Sequence, residues 1–211
     1  MANKHSKLNF ITGVAALALV FGAGPAFAQY DSAPETQTPN SANEKSTADA
    51  TFAQKAAEGG MAEVRLGQLA EQKGTNPAVR DFAKRMVQDH SKSETDLQNT
   101  ASRENMALPT GIDKDDQATY DRLSKLSGDV FDRAYAHDMV KDHTTDVADF
   151  QKEAKDGHDE AIKNYAAQTV PTLESHLEMA RQMEQTVTQS ANNAPSNGTT
   201  YPSNNTVPAT R

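Results

Sequence analysis

RDFAKRMVQDHSKSETDL (Arg80 to Leu97) and RAYAHDMVKDHTTDVADF (Arg133 to Phe150) are two ungapped stretches of this chain that match at an offset of 53 residues. Seven of the eighteen aligned pairs are identical, including His90 with His143. In both stretches apolar residues recur every three or four positions, which predicts amphipathic helices with the histidine on the apolar stripe. The match predicts two similar helices, and the sequence leaves open whether they share ancestry or only composition.

Helical periodicity extends well beyond these two stretches. Apolar residues keep a spacing of three or four, and no run alternates with period two, so the sequence predicts an all-α fold. Short breaks at Gly74 and Gly157 join the first pair and the last pair of helices, so each pair is predicted to form an antiparallel hairpin. Pro171 is expected to kink the last helix. The four long helices are predicted at about 50–73, 77–104, 128–155 and 158–188.

The connection between the two hairpins, about 105–127, is longer than a hairpin turn requires. It contains a short helical pattern, DQATYDRLSKL. A bundle helix of 26 residues is about 39 Å long, and this segment can span that length. Helices 2 and 3 are therefore predicted to run parallel, as in a ferritin-like four-helix bundle with a long crossover between helices 2 and 3. The alternative is a simple up-down bundle.

One polar side chain interrupts the apolar stripe of each long helix near its middle. These are Glu63, His90, His143 and His176. Helices packed side by side bring four such positions to a similar height, where the side chains can satisfy one another or share a cation. Three imidazoles and a carboxylate suit one divalent transition metal, namely Zn, Fe, Mn or Cu. A metal-free network of hydrogen-bonded histidines with Glu63 is the alternative.

Several other polar residues lie near this predicted metal site. Asp89 and Asp142 point about 100° away from the histidines that follow them, so they are predicted as surface residues or outer partners of the ligands. Glu94 and Glu174 lie close enough along their helices to join the site. Tyr135 is expected to place its hydroxyl near a polar partner in the core.

The ends of the chain differ in composition from the helical region. Residues 1–28 combine two lysines, an apolar run and a terminal Ala-Phe-Ala, the pattern of a cleavable signal peptide. The protein is therefore expected to be periplasmic or secreted, with no stable membrane anchor after cleavage. Segments 29–49 and 189–211 are rich in Ser, Thr, Asn and Pro and are predicted to be a disordered linker and a disordered tail around the bundle at 50–188.

Charge and cysteine content exclude several classes of partner and chemistry. The formal charge is −8, and it falls to −10 without the two lysines of the predicted signal. An acidic chain disfavours nucleic acid and anionic lipid surfaces. With no cysteine, disulfides and thiolate ligands are absent. The sequence identifies no partner and leaves homo-oligomerisation open.

Four motifs, EGGMAEVRLGQLA, FAKRMVQDH, FDRAYAHDMVKDH and PTLESHLEMA, resemble the helix signatures of the bacterial family called domain of unknown function 4142. The resemblance covers about 51–185. It implies an exported protein with a ferritin-like fold, of a family often labelled membrane or outer membrane proteins. It also implies prominence for a set of polar and aromatic residues, namely Glu63, His90, Asp132, Tyr135, His143 and His176.

The chain departs from ferritin-like di-iron proteins at the positions three before each histidine. Val87, Val140 and Leu173 stand there instead of the Glu of a Glu-x-x-His motif. This departure argues against ferroxidase, oxygenase or iron-storage activity and leaves at most one ion with a histidine-rich shell. No nucleophile or general base is clearly placed, so a non-enzymatic role is favoured. The sequence predicts a metal-binding envelope protein; the alternative is a metal-free envelope protein with a structural or stress-related role that acts through partner contacts.

Overall fold

The computed structural model describes residues 41–192, with side chains from 47 to 190. The all-α prediction is confirmed, because the described part of the chain contains five helices and no strand. The predicted signal peptide at 1–28 lies outside the described residues, as do the first part of the predicted linker and most of the predicted tail. The helices are α1 (Ser41–Lys73), α2 (Pro77–Arg103), α3 (Lys114–Ser124), α4 (Gly128–Asp156) and α5 (Glu160–Asn192).

Most helix boundaries lie within two residues of their predicted positions. Helix α2 begins as predicted, with Pro77 in its first turn and the Asn76 side chain accepting a 2.9 Å hydrogen bond from the Ala78 N–H. Helix α5 continues through Pro171 to residue 192. None of the described helices is both long enough and apolar enough to cross a membrane.

Helix α1 differs most from its predicted extent. It begins at Ser41, so 41–49 is helical although it was predicted to belong to the disordered linker 29–49. Near the end of this additional helix, Asp49 is 1% exposed. Its carboxylate accepts hydrogen bonds from the backbone N–H groups of His158 and Asp159. A tertiary contact that composition does not reveal therefore anchors this part of α1.

The apolar core consists of two clusters. The first contains Leu66, Phe82 and Met139 with their neighbours, and the second contains Ala57 and Leu97 with theirs. Between them lies a polar layer, which we call the polar belt, made of the four predicted site residues Glu63, His90, His143 and His176.

The order in which each helix crosses these clusters gives its direction. Helices α2 and α4 pass from the first cluster to the second, whereas α1 and α5 pass from the second to the first. Helices α2 and α4 therefore run in the same direction, and α1 and α5 run in the opposite direction. The connection at 104–127 begins beside the second cluster, where Met106 packs, and reaches the first cluster at Leu123.

Two buried aspartates tie the hairpins together at opposite ends. Asp132, at the start of α4, accepts hydrogen bonds from the N–H groups of Thr75 and Asn76, at 3.0 and 2.8 Å, in the turn between α1 and α2. Asp49, in α1, holds the turn between α4 and α5 in the same way, with its shortest bond at 2.6 Å. We call these two contacts the turn clamps. They fix the hairpins lengthwise and thereby set the height of the residues in the polar belt.

Candidate metal centre

Three histidines from three different helices meet between the two apolar clusters. His90 in α2, His143 in α4 and His176 in α5 are 7%, 0% and 1% exposed. Their ring centroids lie 5.3 to 5.8 Å apart. One ring nitrogen of each lies within 4.8 Å of the corresponding nitrogens of the other two. The helices thus bring three imidazoles close enough to share one ion.

Hydrogen bonds at the outer edges orient two of these rings. The Nδ1 of His143 lies 3.0 Å from the carbonyl oxygen of Met139, and the Nε2 of His176 lies 2.8 Å from Oδ2 of Asp89. Both partners are acceptors, so in each case the ring nitrogen donates. The opposite nitrogens, Nε2 of His143 and Nδ1 of His176, then carry lone pairs. Both are buried without a hydrogen-bond partner, as is Nε2 of His90.

Glu63 from α1 completes the polar belt. Its carboxylate is 1% exposed. Oε2 lies 3.1 Å from Nε2 of His90, and Oε1 lies 3.4 Å from Nδ1 of His143. These are ion-pair distances, yet neither oxygen has an aligned hydrogen-bond donor. Since buried polar atoms without hydrogen bonds are costly, five such atoms in one layer, counting the three histidine nitrogens, are an unusual feature of this core.

Charge interactions divide the polar belt into ionised and neutral groups. Burial alone would raise the pKa of Glu63, but the nearby His143 and His90 hold it well below its usual value. Burial lowers the pKa of His176 to about 4 and also lowers the pKa of His143. His90 differs, because the charge of Glu63 overcomes burial and raises its pKa. At neutral pH, His143 and His176 are therefore neutral, the form that binds metals.

Asp89 acts as an outer partner, as the sequence predicts. Burial opposes its ionisation, but the hydrogen bond from His176 and the contact with Arg85 lower its pKa. An ionised Asp89 fixes the orientation of the His176 ring and increases the basicity of its inward nitrogen.

Asp142 and Asp146 lie closer to the polar belt than expected. One oxygen of each lies within 4.8 Å of the other and of an oxygen of Glu63. Burial and the charge of Glu63 raise the pKa of Asp142 to about 10 and that of Asp146 to about 7. The sequence analysis predicted Asp142 as a surface or outer residue and did not select Asp146. This group of three acids, which we call the carboxylate cluster, shares Glu63 with the histidines.

Two cavities reach these groups from different sides. One, of about 70 Å³, is lined by His90 and Asp146 together with Tyr165. Gly59 and Gly60 also line it, and an added Cβ at either glycine would meet no atom within 4 Å. The other cavity, of about 190 Å³, is lined by residues of α1, α3 and α4, including Asp142. Small ions can therefore approach both the histidines and the carboxylates.

Other residues predicted near the site have different partners. Glu94 accepts a hydrogen bond from Gln98, and Glu174 accepts one from Gln151, so neither carboxylate joins the histidines. The expectation for Tyr135 is wrong, because its buried hydroxyl has no hydrogen-bond partner. Its ring stacks on Phe131 with centroids 5.9 Å apart, which holds the side chain among apolar neighbours.

Comparisons with known proteins agree with this all-α architecture. The chain is similar to a solved DUF305 fragment from Deinococcus radiodurans, with 17% identity and a TM-score of 0.57 over 67% of this chain and 95% of that one. At this identity the likeness concerns the fold alone. No curated protein matches the chain. The family described as "Domain of unknown function (DUF4142)" matches residues 34–183, about the same region as the four helix motifs. The chain belongs to the DUF4142 family.

Proposed function

We propose that this protein is an exported helical-bundle protein that binds one divalent transition metal ion, Zn, Fe, Mn or Cu, through His90, His143, His176 and Glu63. The observation that carries the proposal is that one ring nitrogen of each histidine lies within 4.8 Å of those of the other two. Each histidine also has one buried ring nitrogen without a hydrogen-bond partner. A divalent ion would accept lone pairs from these imidazoles and relieve the cost of burying nitrogens without hydrogen bonds.

The surroundings of the histidines suit this role. Metal-bound histidines commonly donate their other ring nitrogen to a carbonyl or carboxylate, which here are Met139 and Asp89. Glu63 adds a negative charge that offsets part of the charge of the ion. His90 lines a cavity, which offers an entry path. Nitrogen-rich sites favour Zn, Cu and Fe(II) over Mg and Ca.

The proposal also covers fold type and location. The shared direction of α2 and α4 and the lengthwise connection at 104–127 support a ferritin-like four-helix bundle with a long crossover. The signal-like pattern at 1–28 supports export to the periplasm or beyond. A bundle of this kind in the envelope would buffer or sense a divalent cation.

Elemental analysis of untagged protein, purified without chelators and reloaded with each candidate metal, tests the proposal. We expect about one equivalent of metal in the wild type and none in the His90→Ala/His143→Ala variant. The His137→Ala/His158→Ala variant is the matched control, because it also loses two histidines, both exposed and outside the polar belt. Bound metal should raise the melting temperature of the wild type and of this control only.

Two results would contradict the proposal. One is retention of a full equivalent by His90→Ala/His143→Ala. The other is the absence of metal from the wild type after reloading, which would favour the metal-free envelope role and turn attention to surface contacts.

A further inference from the structure

The carboxylate cluster is not explained by a single ion at the histidines. Ionised carboxylates only accept hydrogen bonds, so Glu63, Asp142 and Asp146 cannot satisfy one another without protons or a cation. Glu63 gives the strongest indication, because it is 1% exposed and neither of its oxygens has a hydrogen-bond partner. A buried carboxylate that lacks an aligned hydrogen-bond donor and lies beside two further carboxylates points to a positively charged ligand between the three acids.

The helices supply the three acids from two sides. Asp142 and Asp146 are four residues apart on α4, so their side chains lie on the same face, one turn apart. Glu63 reaches them from α1, and one oxygen of each acid lies within 4.8 Å of the others. The same Glu63 lies 3.1 Å from Nε2 of His90 through Oε2. Its carboxylate therefore lies close both to the two aspartates and to His90.

An acidic cavity leads to the cluster. Asp142 lines the cavity of about 190 Å³ between α1, α3 and α4. Asp115, Asp116 and Asp138 line it as well, with Lys141 the single basic residue among them. Concentrated negative charge in a cleft attracts cations and raises their local concentration. This path is separate from the cavity that reaches His90.

We propose that Glu63, Asp142 and Asp146 bind a second divalent cation, of the kind that prefers oxygen ligands, such as Mn²⁺, next to the histidine site. Carboxylate oxygens suit Mn²⁺, Mg²⁺ and Ca²⁺, whereas imidazoles suit Zn²⁺ and Cu²⁺. The two sites differ in donor type, so they select different metals, and Glu63 is the ligand that both can use. This second site rests on the proposed function only in that the neighbouring histidines are taken to hold the first metal ion.

Counting Mn²⁺ on protein already loaded with Zn²⁺ tests this second site. Metal-free full-length protein receives one equivalent of Zn²⁺ and is then titrated with Mn²⁺, and electron paramagnetic resonance measures the free Mn²⁺. We expect the wild type to bind about one Mn²⁺ in addition to its Zn²⁺. The variant Asp142→Asn/Asp146→Asn should keep its Zn²⁺ and bind Mn²⁺ at least about tenfold more weakly.

The control for this experiment is Asp129→Asn/Asp156→Asn. It removes the same number of carboxylates from the same helix, α4, at exposed positions that line neither cavity. Its Mn²⁺ affinity should stay near that of the wild type. The single variant Asp146→Asn keeps the experiment informative if the double variant does not fold, and it too should lose Mn²⁺ affinity.

The two proposals fail in different ways. Bound Zn²⁺ without Mn²⁺, or Mn²⁺ bound equally by wild type and Asp142→Asn/Asp146→Asn, overturns the second site and leaves the histidine site standing. Mn²⁺ binding that depends on Asp142 and Asp146, without any Zn²⁺ binding, supports the second site and contradicts the proposed function. Protein that binds neither ion contradicts both.

Discussion

The turn clamps and the polar belt both bury charged groups, but the two regions treat them in opposite ways. At the clamps, Asp132 and Asp49 are 2% and 1% exposed, and backbone N–H groups from the opposite hairpin bond to their carboxylates. In the polar belt, Glu63 is equally buried, yet both of its oxygens lack a hydrogen bond. One buried ring nitrogen of each of the three histidines lacks a hydrogen bond as well.

This contrast separates structural burial of charge from functional burial. Where an acid holds the fold together, the chain supplies the donors, because an unpaired buried charge costs several kcal/mol. The polar belt contains five buried polar atoms without hydrogen bonds although apolar residues fill the clusters on both sides. A polar layer of this kind inside an apolar core is expected to receive a ligand.

The strongest test of the contrast removes a clamp. Asp132→Ala leaves the N–H groups of Thr75 and Asn76 without their acceptor and should lower the free energy of unfolding by about 3 kcal/mol. In a chain of this size that corresponds to a fall in melting temperature of about 6 to 12 °C. The loss should be the same with and without metal, because Asp132 lies outside the polar belt. Thermal unfolding followed by circular dichroism measures it.

Asp129→Ala is the control for this clamp experiment. Asp129 lies in the first turn of α4, close to Asp132 along the chain, but is exposed, so its loss should cost at most about 1 kcal/mol. Equal destabilisation by the two variants would mean that the hydrogen bonds to the turn contribute little.

A smaller effect is expected from a histidine of the polar belt, as a function of pH. His176 has a pKa of about 4 in the folded protein against 6.5 as the reference for the unfolded chain. Between these values the unfolded state binds more protons than the folded state. The free energy of unfolding therefore increases with pH up to about 6.5 and decreases as pH falls towards 4. His176→Asn should remove about 2 kcal/mol of that loss.

Chemical denaturation of metal-free protein between pH 4 and pH 7 measures this pH dependence. In His176→Asn, the slope of the free energy of unfolding against pH should decrease rather than disappear, because burial also lowers the pKa of His143. His137→Asn, at an exposed histidine that contacts Glu184, is the control that removes a histidine outside the polar belt. An unchanged slope in His176→Asn would show that His176 does not resist protonation in the fold.

The sequence was sufficient to predict the helices and the meeting of four polar residues. Glu63, His90, His143 and His176 could be selected because each is a single polar interruption of an apolar stripe, and helical periodicity makes such interruptions visible. The matched stretches around His90 and His143 belong to α2 and α4, which run in the same direction. The two aligned histidines are therefore expected at a similar height along the bundle.

The carboxylate cluster could not be predicted by the same reasoning. Asp142 and Asp146 lie beside the apolar stripe of α4, among the many charged residues of an ordinary solvated face. What buries them is the packing of α1 against α4 and the placement of α3 near them, which depend on tertiary structure.

A second relation within the sequence could have indicated Asp146. The two turn clamps are related by an offset of 83 residues, because Asp49 corresponds to Asp132 and Thr75 to His158. The same offset relates Glu63 to Asp146, so each hairpin contributes an acid at an equivalent position. The sequence match at an offset of 53 residues pairs α2 with α4. It therefore does not reveal the relation between whole hairpins, in which α1 corresponds to α4.

The two clamps themselves differ in one residue, which gives the smallest predicted effect. Beside Asp49 lies Glu153, which is 9% exposed and has an Oε1 without a partner. The position equivalent to Glu153 in the other hairpin is Ala70, so the Asp132 clamp has no second acid there. Burial and the charge of Asp49 raise the pKa of Glu153 from 4.5 to about 7.

The folded state therefore binds more protons than the unfolded state between pH 4.5 and pH 7, and stability falls as pH rises through that window. Glu153→Gln keeps the shape of the side chain and removes the repulsion, so it should raise the free energy of unfolding at pH 8 by about 1 kcal/mol and have little effect at pH 4.5. Glu178→Gln, at an exposed acid bonded to Gln182, should change stability little at either pH. If Glu153→Gln instead destabilised the protein at pH 8, the ionised Glu153 would be stabilising the Asp49 clamp. Repulsion between Glu153 and Asp49 would then not be what distinguishes this clamp from the Asp132 clamp.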